Sequence, residues 1–294
     1  PSAAAGGTPS AGTGGTLSAG AGGTPSAGAG GTLSAGAGGT LSAGSGGKPS
    51  AGAGGTPSAG TGGAVGAKAQ YFADFNSGTS LAPFTPCWAW APNYAKVVDQ
   101  AVEFFYSQAA YDANPRREMA GTEICAPFET FTDGWYGFKL YLPSPGLPDA
   151  ETIITQVFQQ GACNSWAAHL DMIAGDLVIQ HRSSCGTPTQ AVVYPNVPLD
   201  TWVPVIMYFK ASNNGNGAFK VWVNGAPKDA PSYNRTNINF GFGVWTNGTT
   251  LAPGNRLSHK MGLYNRTGGD RRLRFDDIAL QPGNPPDAYD RVSP

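Results

Sequence analysis

From about residue 70 onward, apolar and polar positions alternate in short runs, and each run is bounded by glycine, proline or asparagine. "AVEFFYSQ", "YGFKLYLP", "ETIITQVFQQ", "HLDMIAGDLVIQHR", "VPVIMYFKAS", "FKVWVNG", "HKMGLYNR" and "RLRFDDIAL" all carry the period of two expected of strands. Convincing helical stretches are scarce. "FKVWVNGAPK" ends in Asn-Gly, the pair favoured where both central residues of a turn need positive φ, and "DMIAGDLVIQ" places a second hairpin at Ala174-Gly175. Many short strands with Gly/Pro turns predict an all-β, antiparallel β-sandwich or jelly roll.

Within this pattern, residues 259–266, "HKMGLYNR", stand out. As a strand, they send His259, Met261, Leu263 and Asn265 to one face and Lys260, Gly262, Tyr264 and Arg266 to the other. The second face is basic and phenolic, and suits either solvent or an anionic ligand.

Residues 1–69 obey another rule. They repeat an eight-residue unit such as "GGTPSAGA" or "GGTLSAGA", with no aromatic residue, no acid and only two lysines, Lys48 and Lys68. Each unit has at most one leucine, so stacking the units would build no core. Such a composition cannot offset chain entropy and predicts a disordered linker that tethers the domain C-terminal to it. Residues 70–294 hold nearly all the aromatic and charged residues and read as one domain. A chain of that size buries roughly 70% of its unfolded surface.

Charge and cysteine content narrow the setting. The net charge of −1 gives no argument for nucleic acid, and no apolar run approaches the roughly 20 residues of a membrane span. The sequence opens within the repeats without a signal-peptide pattern, so any export signal is expected to have been removed or left out. Cys87, Cys125, Cys163 and Cys185 lack paired metal-ligand spacing, and an even count predicts two disulfides in an exported, extracellular or surface-tethered protein. Of the three connectivities, Cys163–Cys185 with Cys87–Cys125 is preferred, because the former closes a hairpin-sized loop. Asp74, Asp276 and Asp277, on runs near the two ends of the domain, are candidate ligands of a structural calcium. No carboxylate pair is spaced for a retaining glycosidase, and no Gly-x-Ser-x-Gly elbow is present.

"HKMGLYNR" resembles the Tyr-Phe-Lys-Ala-Gly-Val-Tyr-Asn-Gln strand of jelly-roll alginate lyases and the Lys-x-Gly-x-Tyr strand of heparinase-I-like and glucuronan lyases. "RREM" (116–119) resembles their Arg-x-Glu-Leu strand, through Arg116 and Glu118. "TIITQVFQQ" (152–160) resembles the strand bearing their Gln-x-His pair. Setting Gln156 on that glutamine leaves Phe158 at the histidine position; setting Gln160 on the histidine leaves Phe158 at the glutamine. The resemblance spans most of residues 70–282. It implies a concanavalin-like β-jelly roll, an acidic polysaccharide as substrate, a monomer, and β-elimination at a uronate with no cofactor required for catalysis.

That reaction sets its own requirements. The carboxylate beside C5 must be neutralised by positioned donors, for which Arg116 and Gln156 are candidates. A base must take the C5 proton and an acid must protonate the leaving O4. Tyr264 is the candidate for both, with Lys260 and Arg266 on its strand face, where cations favour a phenolate. Gln160, Glu118, His169 and His259 complete the expected substrate-binding set. A carbohydrate-binding domain without activity is the alternative reading. Trp135, Trp202 and Trp222 fall in strand patterns and are expected in the core, whereas Trp88, Trp90, Trp166 and Trp245 are expected in loops.

Overall fold

The computed structural model describes residues 67–115, 120–127, 132–159, 166–184, 186–241, 245–246, 250–251, 257–264 and 268–294, all within one compact unit, Gly60–Pro294. The strands run in chain order as β1 (Tyr71–Ala73), β2 (Thr85–Ala89), β3 (Tyr94–Val98), β4 (Ala101–Tyr106), β5 (Gly121–Cys125) and β6 (Asp133–Tyr141). They continue as β7 (Thr152–Gln159), β8 (Trp166–Ile173), β9 (Asp176–His181), β10 (Thr189–Tyr194), β11 (Trp202–Lys210) and β12 (Ser212–Val223). β13 (Tyr233–Phe240), β14 (Trp245–Thr246), β15 (Thr250–Leu251), β16 (Leu257–Tyr264) and β17 (Arg271–Pro282) complete the set. Two short helices, α1 (Gln108–Ala113) and α2 (Ala288–Val292), are the helical elements among the described residues.

Two antiparallel sheets form the sandwich. One runs β13-β12-β11-β6-β17-β4-β3, with β1 also on β17; the other runs β10-β9-β8-β7-β16-β5-β2. The alternation read from the sequence is what fills the space between them. From the first sheet come Phe104, Tyr136, Phe138, Leu140, Met207, Phe209 and Phe275, and from the second Ile124, Val157, Leu170, Ile179, Met261 and Leu263, all buried in one cluster. The hairpin at Ala174-Gly175 forms with φ of +49° and +85°, joining β8 to β9 directly. Asn224-Gly225 also adopts positive φ, at +54° and +76°, but the chain runs on to residue 232 before β13 begins.

The tryptophans depart from expectation. Trp135 and Trp222 stack on the outer face of the first sheet, 5.5 Å apart, beneath Tyr289 of α2. They belong to a small second apolar cluster and not to the inter-sheet core. Trp202 lies against Tyr141 at 5.1 Å and stays 37% exposed. Trp88 and Trp166 are strand residues of β2 and β8, not loop residues. Trp90 is 55% exposed, and the side chain of Trp245 lies outside the described residues.

The expected Cys87–Cys125 disulfide is present, with Cα atoms 5.7 Å apart, and joins β2 to β5. Cys163 and Cys185 lie outside the described residues. No three His, Cys, Asp or Glu side chains among the described residues group to hold a metal. Asp277 is bound by Lys139 at a kink in β17, and Asp74 is 4.0 Å from Lys68. No helix among the described residues is long and apolar enough to cross a membrane.

Candidate active site

The second sheet turns one face to the core and the other away from it. On β16 the core takes Leu257, His259, Met261 and Leu263, so Ser258, Lys260 and Tyr264 stand on the outward face. His259 is therefore corrected from a substrate-binding candidate to a core residue. It is 1% exposed, between the rings of Tyr136 (4.3 Å) and Phe209 (4.8 Å) of the opposite sheet. Burial there pulls its pKa down to about 3, so the imidazole is neutral in the folded protein.

Strand register lines up one polar row across the outward face. Cys125 of β5 is opposite Lys260 of β16, Lys260 opposite Gln156 of β7, and Gln156 opposite His169 of β8. The row continues through Gln180 of β9 to Gln190 of β10. Gln156 and Lys260 are thus direct cross-strand neighbours, and His169 stands on the far side of Gln156. A second row, four residues further along β5 and β16 and two along β8, runs from Gly121 through Tyr264 and Ile153 to Asp171.

Gly262 is what makes this part of β16 work. Between Met261–Thr155 and Tyr264–Ile153, β16 advances three residues while β7 advances two, which is a β-bulge. Gly262 has φ of +143°, and a Cβ there would stand only 2.2 Å from the carbonyl oxygen of Thr122 and 2.8 Å from the Phe104 ring. Gly121 plays a related part opposite Tyr264: a Cβ on it would lie 2.4 Å from the carbonyl oxygen of Leu263 and 3.0 Å from Cδ2 of Tyr264. Tyr264 itself is partly exposed.

Two hydrogen-bonded carboxyl groups sit in the floor. Glu123, 2% exposed on β5, accepts from Gln156 Nε2 at 2.5 Å. Burial pushes the Glu123 carboxyl above the usual carboxylate range, against the opposing pull of Lys260 and Gln156. Asp171, fully buried on β8, shares a hydrogen bond with His169 Nδ1 (2.5 Å) and accepts from Gln180 Nε2 (2.9 Å). Its carboxyl is likewise raised by burial, although the hydrogen bond and charge of His169 oppose the shift. Gln180 also donates to Glu151 at 2.6 Å.

Aromatic rings border the polar rows. The Lys260 ammonium lies 3.9 Å from the ring centroid of Phe158 and 5.6 Å from that of Trp88. The Arg182 guanidinium lies 3.7 Å from the Trp166 ring, which meets His169 edge-on at 4.1 Å.

The expected set is therefore divided. Tyr264, Lys260, Gln156 and His169 come together on one face. Arg116, Glu118, Gln160 and Arg266 lie outside the described residues. On the side of β16 away from β7 lies β5, which carries Glu123. Sequence reasoning missed Glu123, Asp171 and Gln180 as parts of the site. The alternation of "HLDMI" does place Asp171 on the side of His169.

Comparison with known proteins identifies the chain. The sequence model of a family described as polysaccharide lyase matches residues 101–279. The chain belongs to the polysaccharide lyase family. Among solved structures, it is similar to the endo-β-1,4-glucuronan lyase of the fungus Trichoderma reesei. That match has 14% identity and a TM-score of 0.50, over 77% of this chain and 98% of that one. It is also similar to an alginate lyase of Pseudomonas aeruginosa, at 18% identity and a TM-score of 0.44, over 66% of this chain and 88% of that one. No curated protein matches the sequence.

Proposed function

We propose that this chain is an exported, monomeric lyase that cleaves a uronate-containing polysaccharide by β-elimination. The observation that carries the reading is that Tyr264, Lys260 and Gln156 share the outward face of one sheet, with Lys260 and Gln156 in direct cross-strand register. In the proposed reaction, the amide of Gln156 and the ammonium of Lys260 receive the carboxylate beside C5 of the substrate. Arg116 is the further candidate for that task. Neutralising the carboxylate stabilises the enolate-like charge that develops as the C5 proton leaves.

Tyr264, as phenolate, takes that proton. The freed electron pair forms the C4–C5 double bond as the C4–O4 bond breaks, and the phenol returns its proton to O4. The sequence of steps calls on no metal or organic cofactor. Export fits the Cys87–Cys125 disulfide, which persists in oxidising surroundings.

The test is incubation of the chain with glucuronan, alginate, heparin-type and hyaluronan polymers while monitoring the ultraviolet absorbance of unsaturated ends. Absorbance should rise on at least one substrate, and Tyr264→Phe should lower the rate by about 100-fold or more with an unchanged melting transition. A fully active Tyr264→Phe variant removes this mechanism. A second reading, a carbohydrate-binding domain without activity, draws on Phe158 in place of the imidazole and on the engagement of the Gln156 amide by Glu123. Retained capture of an acidic glycan with no unsaturated ends on any polymer would favour it.

A further inference from the structure

The most exposed large apolar side chain among the described residues stands at the edge of the sheet that carries Tyr264. Trp90 is 55% exposed and directly follows β2, the last strand of that sheet. Trp88, two residues earlier, lies over the outward face, with its ring centroid 5.6 Å from Lys260 Nζ. Side-chain alternation carries that direction on to Trp90. β2 pairs with β5 through Ala89 and Thr122, so the next position on β5 is Gly121, and opposite Gly121 stands Tyr264. Trp90 and Tyr264 thus lie two strand spacings apart, about 10 Å. The strand between them carries a glycine at this point and so raises no side chain in the gap. The turn that bears Trp90 is anchored at the same place. Asn93, 3% exposed, donates its backbone N–H to the Trp90 carbonyl oxygen (2.9 Å) and its side-chain amide to the Gly121 carbonyl oxygen (3.3 Å). Its Oδ1 accepts from the Ser107 N–H at 2.8 Å. A buried amide therefore fixes the backbone of an exposed indole to the residue opposite Tyr264, and little freedom is left to lose on binding.

We propose that Trp90 is a sugar platform: its indole stacks on a pyranose flanking the one held at Tyr264, and the polysaccharide crosses between them over Gly121. The inference rests on the uronate reading above and adds to it a preference among uronates. Stacking on an indole needs a ring face that shows only C–H groups. In β-1,4-linked glucuronate every ring substituent is equatorial, so both faces of each sugar qualify. In α-1,4-linked guluronate the linkages and one hydroxyl are axial, which breaks up those faces. The platform therefore selects an all-equatorial polyuronate, and it does so by shape, because the indole carries no charge.

The experiment measures calorimetric binding of a β-1,4-glucuronate hexasaccharide and an α-1,4-guluronate hexasaccharide to the full chain carrying Tyr264→Phe, which keeps the oligomers intact. This background should bind the glucuronate oligomer more tightly than the guluronate one. Adding Trp90→Ala should weaken glucuronate binding about 10-fold, the equivalent of an aromatic contact of about 1.4 kcal/mol. It should leave the melting transition and any guluronate binding unchanged. Trp90→Phe, which keeps a ring, should lose less than Trp90→Ala does. Undiminished glucuronate binding in Trp90→Ala, an equal loss on both oligomers, or a Trp90→Phe as weak as Trp90→Ala would each overturn the proposal. So would guluronate bound more tightly than glucuronate, or no binding of the glucuronate oligomer. The elimination assay, with Tyr264 intact, reads separately. Ring-dependent binding with no unsaturated ends on any polymer sinks the lyase reading alone, and unsaturated ends from glucuronan with binding indifferent to Trp90→Ala sink this one alone.

Discussion

At the scale of single residues, Gly262 and His259 show how one strand serves two environments. Gly262 combines a φ of +143° with a close approach by the Thr122 carbonyl oxygen, so any side chain forces the backbone to move. Gly262→Ala should lower stability by about 2–4 kcal/mol in urea unfolding and reduce any elimination rate by displacing Tyr264. His259 is buried neutral, with its pKa depressed to about 3. Because its folded value lies below the unfolded one, the unfolded chain binds more protons as pH falls below about 6.5, and stability is lost in that direction. Between pH 7 and pH 5 this group should account for about 2 kcal/mol of lost stability. His259→Phe should make denaturation midpoints less dependent on pH over that window; an unaltered pH dependence would contradict the assignment. The core position of His259 was legible in the alternation of "HKMGLYNR", which groups it with Met261 and Leu263. Its aromatic neighbours were not, because they belong to a sheet distant in sequence.

Among elements, β5 and β2 matter most to the site. β5 lies beside β16 and brings Glu123 to Gln156, while β2 carries Trp88 to Lys260 at the edge of the sheet. An edge strand has a neighbour on one side only, and the Cys87–Cys125 disulfide ties this one to β5. With a sequence separation of 38, the crosslink should contribute about 2–4 kcal/mol. The Cys87→Ala/Cys125→Ala double variant should lose that much stability, and amide exchange should show β2 opening before β5. Protection retained along β2 would show that pairing alone holds it. Strand existence was readable from period-two runs throughout, and the Ala174-Gly175 turn was readable from its residue types. The order of strands in each sheet was not, because neighbours such as β16 and β5 are separated by more than a hundred residues, and local pattern carries no information on such pairing.

For the whole molecule, composition separates a repeat segment from a folded unit. Residues 1–66 offer no large apolar surface beyond scattered leucines, so their removal should cost the sandwich nothing. A chain lacking residues 1–66 should melt and act on polysaccharide as the full chain does; a lower transition would reveal a stabilising role for the repeats.

The sequence by itself determined the all-β class and the face of β16 that bears Lys260 and Tyr264, because side-chain alternation is a property of the strand alone. The resemblance of "TIITQVFQQ" to a strand bearing a Gln-x-His pair marked Gln156 as a candidate. Only the tertiary structure decided that Gln156 is engaged by Glu123, that His169 is held by Asp171, that His259 serves the core, and that Phe158 meets Lys260. These are contacts among different strands, set by register and by the sheet packed beneath. A side chain's face is fixed by its place in a strand, whereas its partners depend on which strands the fold brings together.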